Sequence, residues 1–154
     1  MAAAVTEEPV LRGGCLCGAL RFEVDGELGP VVLCHCSQCR KAQGGAFAVV
    51  APVRAAQFRL LAGAERLKSY NSSGDKWRSF CGDCGSPIHS RRAGQPGLLR
   101  LRVGTLDGVL TARPSAHIHV ASKAAWWDIT DTLPQHQGIE PGRAPGPRAA
   151  PLTQ

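Results

Sequence analysis

Seven cysteines, gathered into three tight clusters, constrain this chain more than any other feature. Cys15 and Cys17 form a C-x-C, Cys34, Cys36 and Cys39 a C-x-C-x-x-C, and Cys81 and Cys84 a C-x-x-C. A structural zinc site takes four protein ligands, whereas a catalytic one keeps a position open for water or substrate. Seven sulfurs divide accordingly into four and three. The three between residues 34 and 39 can reach one ion from a single short segment. That leaves Cys15, Cys17, Cys81 and Cys84 for a closed four-sulfur site. Disulfides are the competing use. An odd count leaves one thiol over, and cysteines two apart on a strand face the same way, which suits chelation better than an S–S bond. The stretch MAAAVTEEPVLRGG has neither the basic nor the apolar region of a secretory signal. The expectation is a cytoplasmic chain whose thiols stay reduced and available to metal, with two zinc ions, one structural and one catalytic.

Composition sets the frame for those sites. A length of 154 residues suits one domain with a core of its own, so metal adds to a fold and does not replace it. Aromatics make up 5%, against 18 glycines and 11 prolines, which favours short strands and many turns: a mainly β fold with short helical turns. The formal charge of +6 is scattered over single and paired basic residues, with no long like-charged block. That pattern reads as a basic, solvated surface suited to a small anionic partner, and speaks against nucleic acid. No run approaches the ~18 apolar residues of a membrane span.

Along the chain, ALRFEV from Ala19 alternates as a half-buried strand, and Val31 to Leu33 lead a strand into Cys34. Ser37 is placed to cap a helical turn through Lys41, closed by Gly44-Gly45. Strands are expected at 46–53, 58–61, 67–70, 77–80, 87–91, 98–103 and 117–121, and the C-G-D-C-G of 81–85 is a knuckle-type turn. From Pro134 the proline and glycine content predicts a flexible tail over 134–154.

Four blocks together carry a resemblance. They are G-G-C-x-C-G-A-x-R-F from Gly13, C-H-C-S-x-C-R-K-x-x-G from Cys34, F-C-x-x-C-G-S-P from Phe80 and H-I-x-V-x-S-K-A-x-W from His117. In that order they resemble the glutathione-dependent formaldehyde-activating enzyme family, also called the centromere-protein-V domain, over 13–133. The resemblance implies an Mss4-like, zinc-bound antiparallel β fold. It assigns Cys15, Cys17, Cys81 and Cys84 to a structural zinc and Cys34, Cys36 and Cys39 to a catalytic one. It also implies a carbon–sulfur lyase reaction joining glutathione and formaldehyde as S-(hydroxymethyl)glutathione, with a small thiol as substrate. Two rivals stand beside it: a non-enzymatic zinc module that binds protein or chromatin, and a redox domain like methionine sulfoxide reductase. The last needs a free cysteine beyond the zinc ligands, and none follows Cys84. A homodimer is left open.

Around the open site, Gln38, Arg40 and Lys41 are candidates to receive a substrate, the cations by pairing with a carboxylate. Solvated surface is the equal alternative for Arg40 and Lys41. Lys123 and Trp126, with Trp127, are candidates to flank a cleft. His35 alternates away from the ligand cysteines and is expected to pack. His117 and His119 share a face if that segment is a strand, and either could be a fourth zinc ligand. The more frequent fate of such histidines is a satisfied core or surface position. Phe47 and Phe80 are expected in the core. No Glu or Asp stands beside the three cysteines to serve as a hydrolytic base.

Overall fold

A computed structural model describes residues 9–142. Among the described residues, ten strands build two sheets. β1 (Val10–Gly14), β2 (Arg21–Asp25) and β5 (Phe58–Ala62) form a small antiparallel sheet. β3 (Val31–Cys34), β4 (Ala48–Arg54), β6 (Leu67–Asn71), β7 (Lys76–Cys81), β8 (Pro87–Arg92), β9 (Gln95–Arg102) and β10 (Pro114–Ile118) form a large one, ordered β10-β3-β4-β9-β8-β7-β6. The fold is mainly β, as expected. The large sheet is mixed, because β10 runs parallel to β3 while its other neighbours pair antiparallel. The only α-helix among the described residues, α1 (Ser37–Gln43), follows β3 directly.

The alternation of Leu20, Phe22 and Val24 does what the period-two pattern requires. All three are fully buried and pack with Val53, Cys81, Ile88 and Leu101 of the large sheet. Gly13 is needed at this contact, since a Cβ there would sit 2.4 Å from the Thr105 carbonyl and 2.6 Å from the Phe22 ring. The other face of the large sheet carries a second apolar group, Val32, Val50, Ala48, Ala116 and Ile118, covered by Cys39 of α1. The two faces thus serve different ends: one binds the small sheet, the other supports α1.

His89 lies in the first of these cores, edge-on to Phe58 with its Nδ1 unpartnered. Burial, then the charges of Arg91 and Arg102, push it down to about 4 from 6.5. Between those values the unfolded chain binds a proton that the folded chain refuses. Stability is therefore fully present above pH 6.5 and lost as pH falls toward 4. The loss is on the order of 3 kcal/mol. His89→Phe is expected to flatten this dependence: melting scans from pH 7 to 4.5 should show a smaller drop for the variant. Equal slopes would remove His89 as the cause.

Two sequence expectations change. The strand expected at 117–121 ends at Ile118, and His119 takes a left-handed φ of 53° to open a 3-10 turn, Val120–Ser122. His117 and His119 therefore do not share a strand face. The expected loose tail is tied down over its first part. His117 N–H donates to the Pro134 carbonyl and His136 N–H to the His117 carbonyl, while Arg100 pairs with Glu140 at 2.7 Å. The prolines leave enough N–H groups for this segment to cover the open edge of β10. The rest of that expectation, 143–154, lies outside the described residues.

Candidate metal centres and the site between α1 and the sheet

Cys15 and Cys17 follow β1, and Cys81 and Cys84 bracket the turn from β7 to β8. The fold brings all four sulfurs within 4.8 Å of one another. Cys15 and Cys17 sulfurs are 3.5 Å apart, and Cys17 and Cys81 3.9 Å. A tetrahedron of sulfurs ~2.3 Å from zinc has edges of ~3.8 Å, so the donor set fits that ion. The local backbone serves the sulfurs: Leu20 N–H donates to Cys15 at 3.2 Å, and the Ser86 hydroxyl lies 3.2 Å from Cys84. Gly85, at φ 76°, closes the turn with its N–H on the Cys81 carbonyl. The charges are in conflict without a cation. The Ser86 hydroxyl and amide draw Cys84 down to about 5. Cys17 goes up to about 12, because the pull of the Ala19 amide is outweighed by Cys15, burial and the other two thiols.

The second cluster stands on the opposite face of the large sheet. Cys34 ends β3, Cys36 is the N-cap of α1 and Cys39 lies in its first turn, the three ligand atoms falling within 4.8 Å. Ser37 was the expected cap. Cys36 holds that position instead, its sulfur accepting from Cys39 N–H at 3.1 Å. One aspect departs from the expectation of three free thiols: Cys36 and Cys39 are in disulfide contact, with Cα atoms 5.1 Å apart. A C-x-x-C over a helical turn brings its sulfurs close enough for either a bond or a shared metal. Cys34 remains a free thiol, 3.4 Å from Cys39.

The sequence candidates divide. Gln38 is at the site: its Oε1 accepts from Arg78 Nη2 at 3.3 Å, and the same Nη2 lies 4.0 Å from the Cys39 sulfur. Arg40 and Lys41 occupy the last turn of α1, Lys41 exposed and Arg40 half-buried. Lys123 turns back on its own loop, donating to the carbonyls of Ala124 and Trp127. Trp126 is 69% exposed, while Trp127 packs edge-on against Phe47, which in turn meets His35. Phe47 and Phe80 are half-buried at the margins of the cores.

His35 packs, as its alternation predicts. It is fully buried, and its Nε2 stands 2.8 Å from His117 Nδ1, whose Nε2 reaches Asp131 at 3.0 Å. The Asp131 carboxylate accepts from His117 Nε2–H, and the two rings share one hydrogen bond between His117 Nδ1 and His35 Nε2. Burial, then the charge of His117, hold His35 down at about 4. His117 is thereby committed to the core and stands apart from the sulfurs it was a candidate to join.

Sequence reasoning missed the cations opposite α1. The register Arg78↔Ser90↔Arg100↔Pro52, with Arg102↔Val50↔Val32, places them on the face that carries Cys34. Gln43 accepts from Arg102 Nε at 2.6 Å, so α1 is bridged to this face at both ends by amide–guanidinium bonds. Burial draws Lys76 down to about 7, with Arg78 adding to it, and brings Arg102 to about 10. The signal was present as period-two pairs, Lys76 with Arg78 and Arg100 with Arg102.

Comparison with known proteins gives these features a context. The family described as glutathione-dependent formaldehyde-activating enzyme matches residues 10–122. A Halomonas elongata protein that carries the provisional name glutathione-dependent formaldehyde-activating enzyme is 30% identical over 127 residues, covering 78% of this chain and 81% of its own. A Rhodobacter sphaeroides protein of known crystal structure superposes with a TM-score of 0.55 at 32% identity, covering 65% of this chain and 91% of its own.

Proposed function

The chain belongs to the glutathione-dependent formaldehyde-activating enzyme family, and on that premise we propose that it is a zinc-dependent, carbon–sulfur lyase-type enzyme acting on a thiol adduct such as S-(hydroxymethyl)glutathione. Cys15, Cys17, Cys81 and Cys84 would hold a structural zinc, and Cys34, Cys36 and Cys39 a catalytic one. The observation that carries this reading is the three-sulfur cluster with a basic wall and, among the described residues, no carboxylate grouped with it. A zinc bound there would supply electrophilic polarisation and favour the thiolate form of a substrate thiol.

The chain's own groups do the rest. Cys36, as helix cap, orders the start of α1 and with it Cys39. The Arg78 guanidinium beside Cys39 offsets thiolate charge, while Val32, Val50 and Ile118 keep water from the base of the site. The reaction is an addition. The glutathione sulfur bonds to the formaldehyde carbon, the carbonyl π pair moves to oxygen, and the thiol proton ends on that oxygen. No oxidant or reductant is consumed. Three sulfur donors leave a soft, electron-rich centre, which suits sulfur exchange over hydrolysis. A cytoplasmic location belongs to the same reading, since the thiols must stay reduced.

Calorimetry on the zinc-loaded protein tests it. Glutathione should bind at least about tenfold more tightly than S-methylglutathione, which cannot present a thiolate. Equal affinities would remove sulfur–metal contact from the mechanism. Binding of neither would favour the interaction-module alternative.

A further inference from the structure

The three sulfurs of the second cluster are not held alike. Cys36 and Cys39 are spaced by α1 itself, through the cap that Cys36 makes to Cys39 N–H. Cys34 comes from β3, and the one residue that joins it to the helical pair is His35. The peptide planes on either side of His35 therefore set where the third sulfur stands. One neighbouring segment, β10 with the 3-10 turn after it, grips this residue at three points. His35 N–H donates to the Ile118 carbonyl at 2.9 Å, and the Ser122 hydroxyl donates to the His35 carbonyl at 3.1 Å. The side chain meets His117 at 2.8 Å. His117 is anchored in turn by Asp131, whose Oδ2 accepts from Nε2–H at 3.0 Å while its Oδ1 accepts from Leu133 N–H at 2.9 Å. A hydrogen-bonded chain thus runs from Asp131, whose side chain is 45% exposed, to the loop between two of the sulfurs.

Two costs converge on this clamp. His35 is fully buried and its Nδ1 has no partner. An apolar side chain would pack beside Phe47 without stranding a nitrogen, so an imidazole here works against stability. His119 is, among the described residues, the only non-glycine with a positive φ, 53°. The turn it opens brings the Ser122 hydroxyl to the His119 and His35 carbonyls together. Backbone strain of this kind persists where the surroundings over-determine it, and it gathers at working sites.

We infer that Asp131, acting through His117 and His35, is a positioning residue of the three-cysteine centre. With Ser122 it locks the Cys34–Cys36 loop, so that the β3 sulfur addresses the same ion as the two helical ones. The inference rests on the metal reading of that cluster given above. It also assigns a use to His117, which is too committed to the core to be a ligand itself.

The test follows zinc on the loaded protein by competition with a chromophoric chelator. Cys34→Ser identifies which chelation step belongs to the three-cysteine centre. Asp131→Ala should weaken that ion by about tenfold, the low end of what outer hydrogen bonds contribute at metal centres. Asp131→Asn keeps an oxygen for His117 and Leu133, and it should recover most of the loss. Ser122→Ala removes the hydroxyl from the His35 carbonyl and should weaken the same ion several-fold, which keeps the test open if Asp131→Ala is poorly soluble. The four-sulfur ion should be held as tightly in all three variants as in wild type. If Asp131→Ala and Ser122→Ala bind both ions like wild type, or weaken both ions equally, the positioning role is overturned and the metal reading stands. The same holds if Asp131→Asn is as weak as Asp131→Ala. If wild type takes up a single ion per chain, the metal reading of the three-cysteine cluster fails and this inference fails with it.

Discussion

Cys81→Ser is expected to yield insoluble or molten protein. Cys81 is fully buried at the end of β7, and its sulfur meets that of Cys17 across a sequence separation of 64 residues. An ion held there ties the segment after β1 to the turn between β7 and β8, so it closes a long loop and its binding energy counts as folding energy. Structural zinc binding is worth ~10–16 kcal/mol in small peptides, comparable with the ~5–15 kcal/mol that holds a whole domain folded. Serine cannot replace the thiolate, and it would leave a polar group in the core beside Phe22 and Ile88. Soluble yield, near-ultraviolet dichroism and a melting scan measure the outcome. A variant that melts like wild type would show that the four-sulfur site does not support the fold.

Cys34→Ser should behave differently: loss of one zinc per chain and of activity, with the fold intact. The ligands of this cluster come from the end of β3 and the first turn of α1, so an ion here closes only a short loop. α1 is held by other means, through Gln38 to Arg78, Gln43 to Arg102 and the apolar group around Val50. Metal content should fall from two ions to one while far-ultraviolet dichroism and soluble yield are kept. Catalysed formation of S-(hydroxymethyl)glutathione, read by proton NMR, should fall to the uncatalysed rate. If Cys34→Ser precipitates as Cys81→Ser does, the division into a structural and a catalytic centre is wrong.

Much of the site was legible because its cysteines are clustered in the chain. Spacings of two and three residues bring sulfurs together through local backbone alone, so the three-cysteine group needed only a strand end and a helical turn. The four-sulfur group was legible by arithmetic, since its two halves had no other partners to make. The strands of the core were legible wherever apolar residues alternated, as at Leu20, Phe22 and Val24. The Gly44 stop of α1 was readable from its type, and its φ of 66° is the reason. Ser37 misled for a physical reason as well: a thiol next to it can accept the same capping hydrogen bond.

Tertiary structure decided what depends on register between distant strands. A local pattern states that Lys76 and Arg78, or Arg100 and Arg102, share a face. It does not state which face, or that pairing through Ser90 lays both pairs along one row opposite α1. His35 and His117, 82 residues apart, meet only because β10 docks parallel to β3, a pairing that no hairpin signal announces. The segment from Pro134 looked loose because its composition lacks a core of its own. The edge of β10 supplied the hydrogen bonds it could not make internally. The sequence by itself thus determined which cysteines gather as candidate metal ligands and the strand periodicity, which are local properties of spacing and burial. The fold alone decided which charges face those ligands, because that choice is made by strand pairing across long stretches of chain.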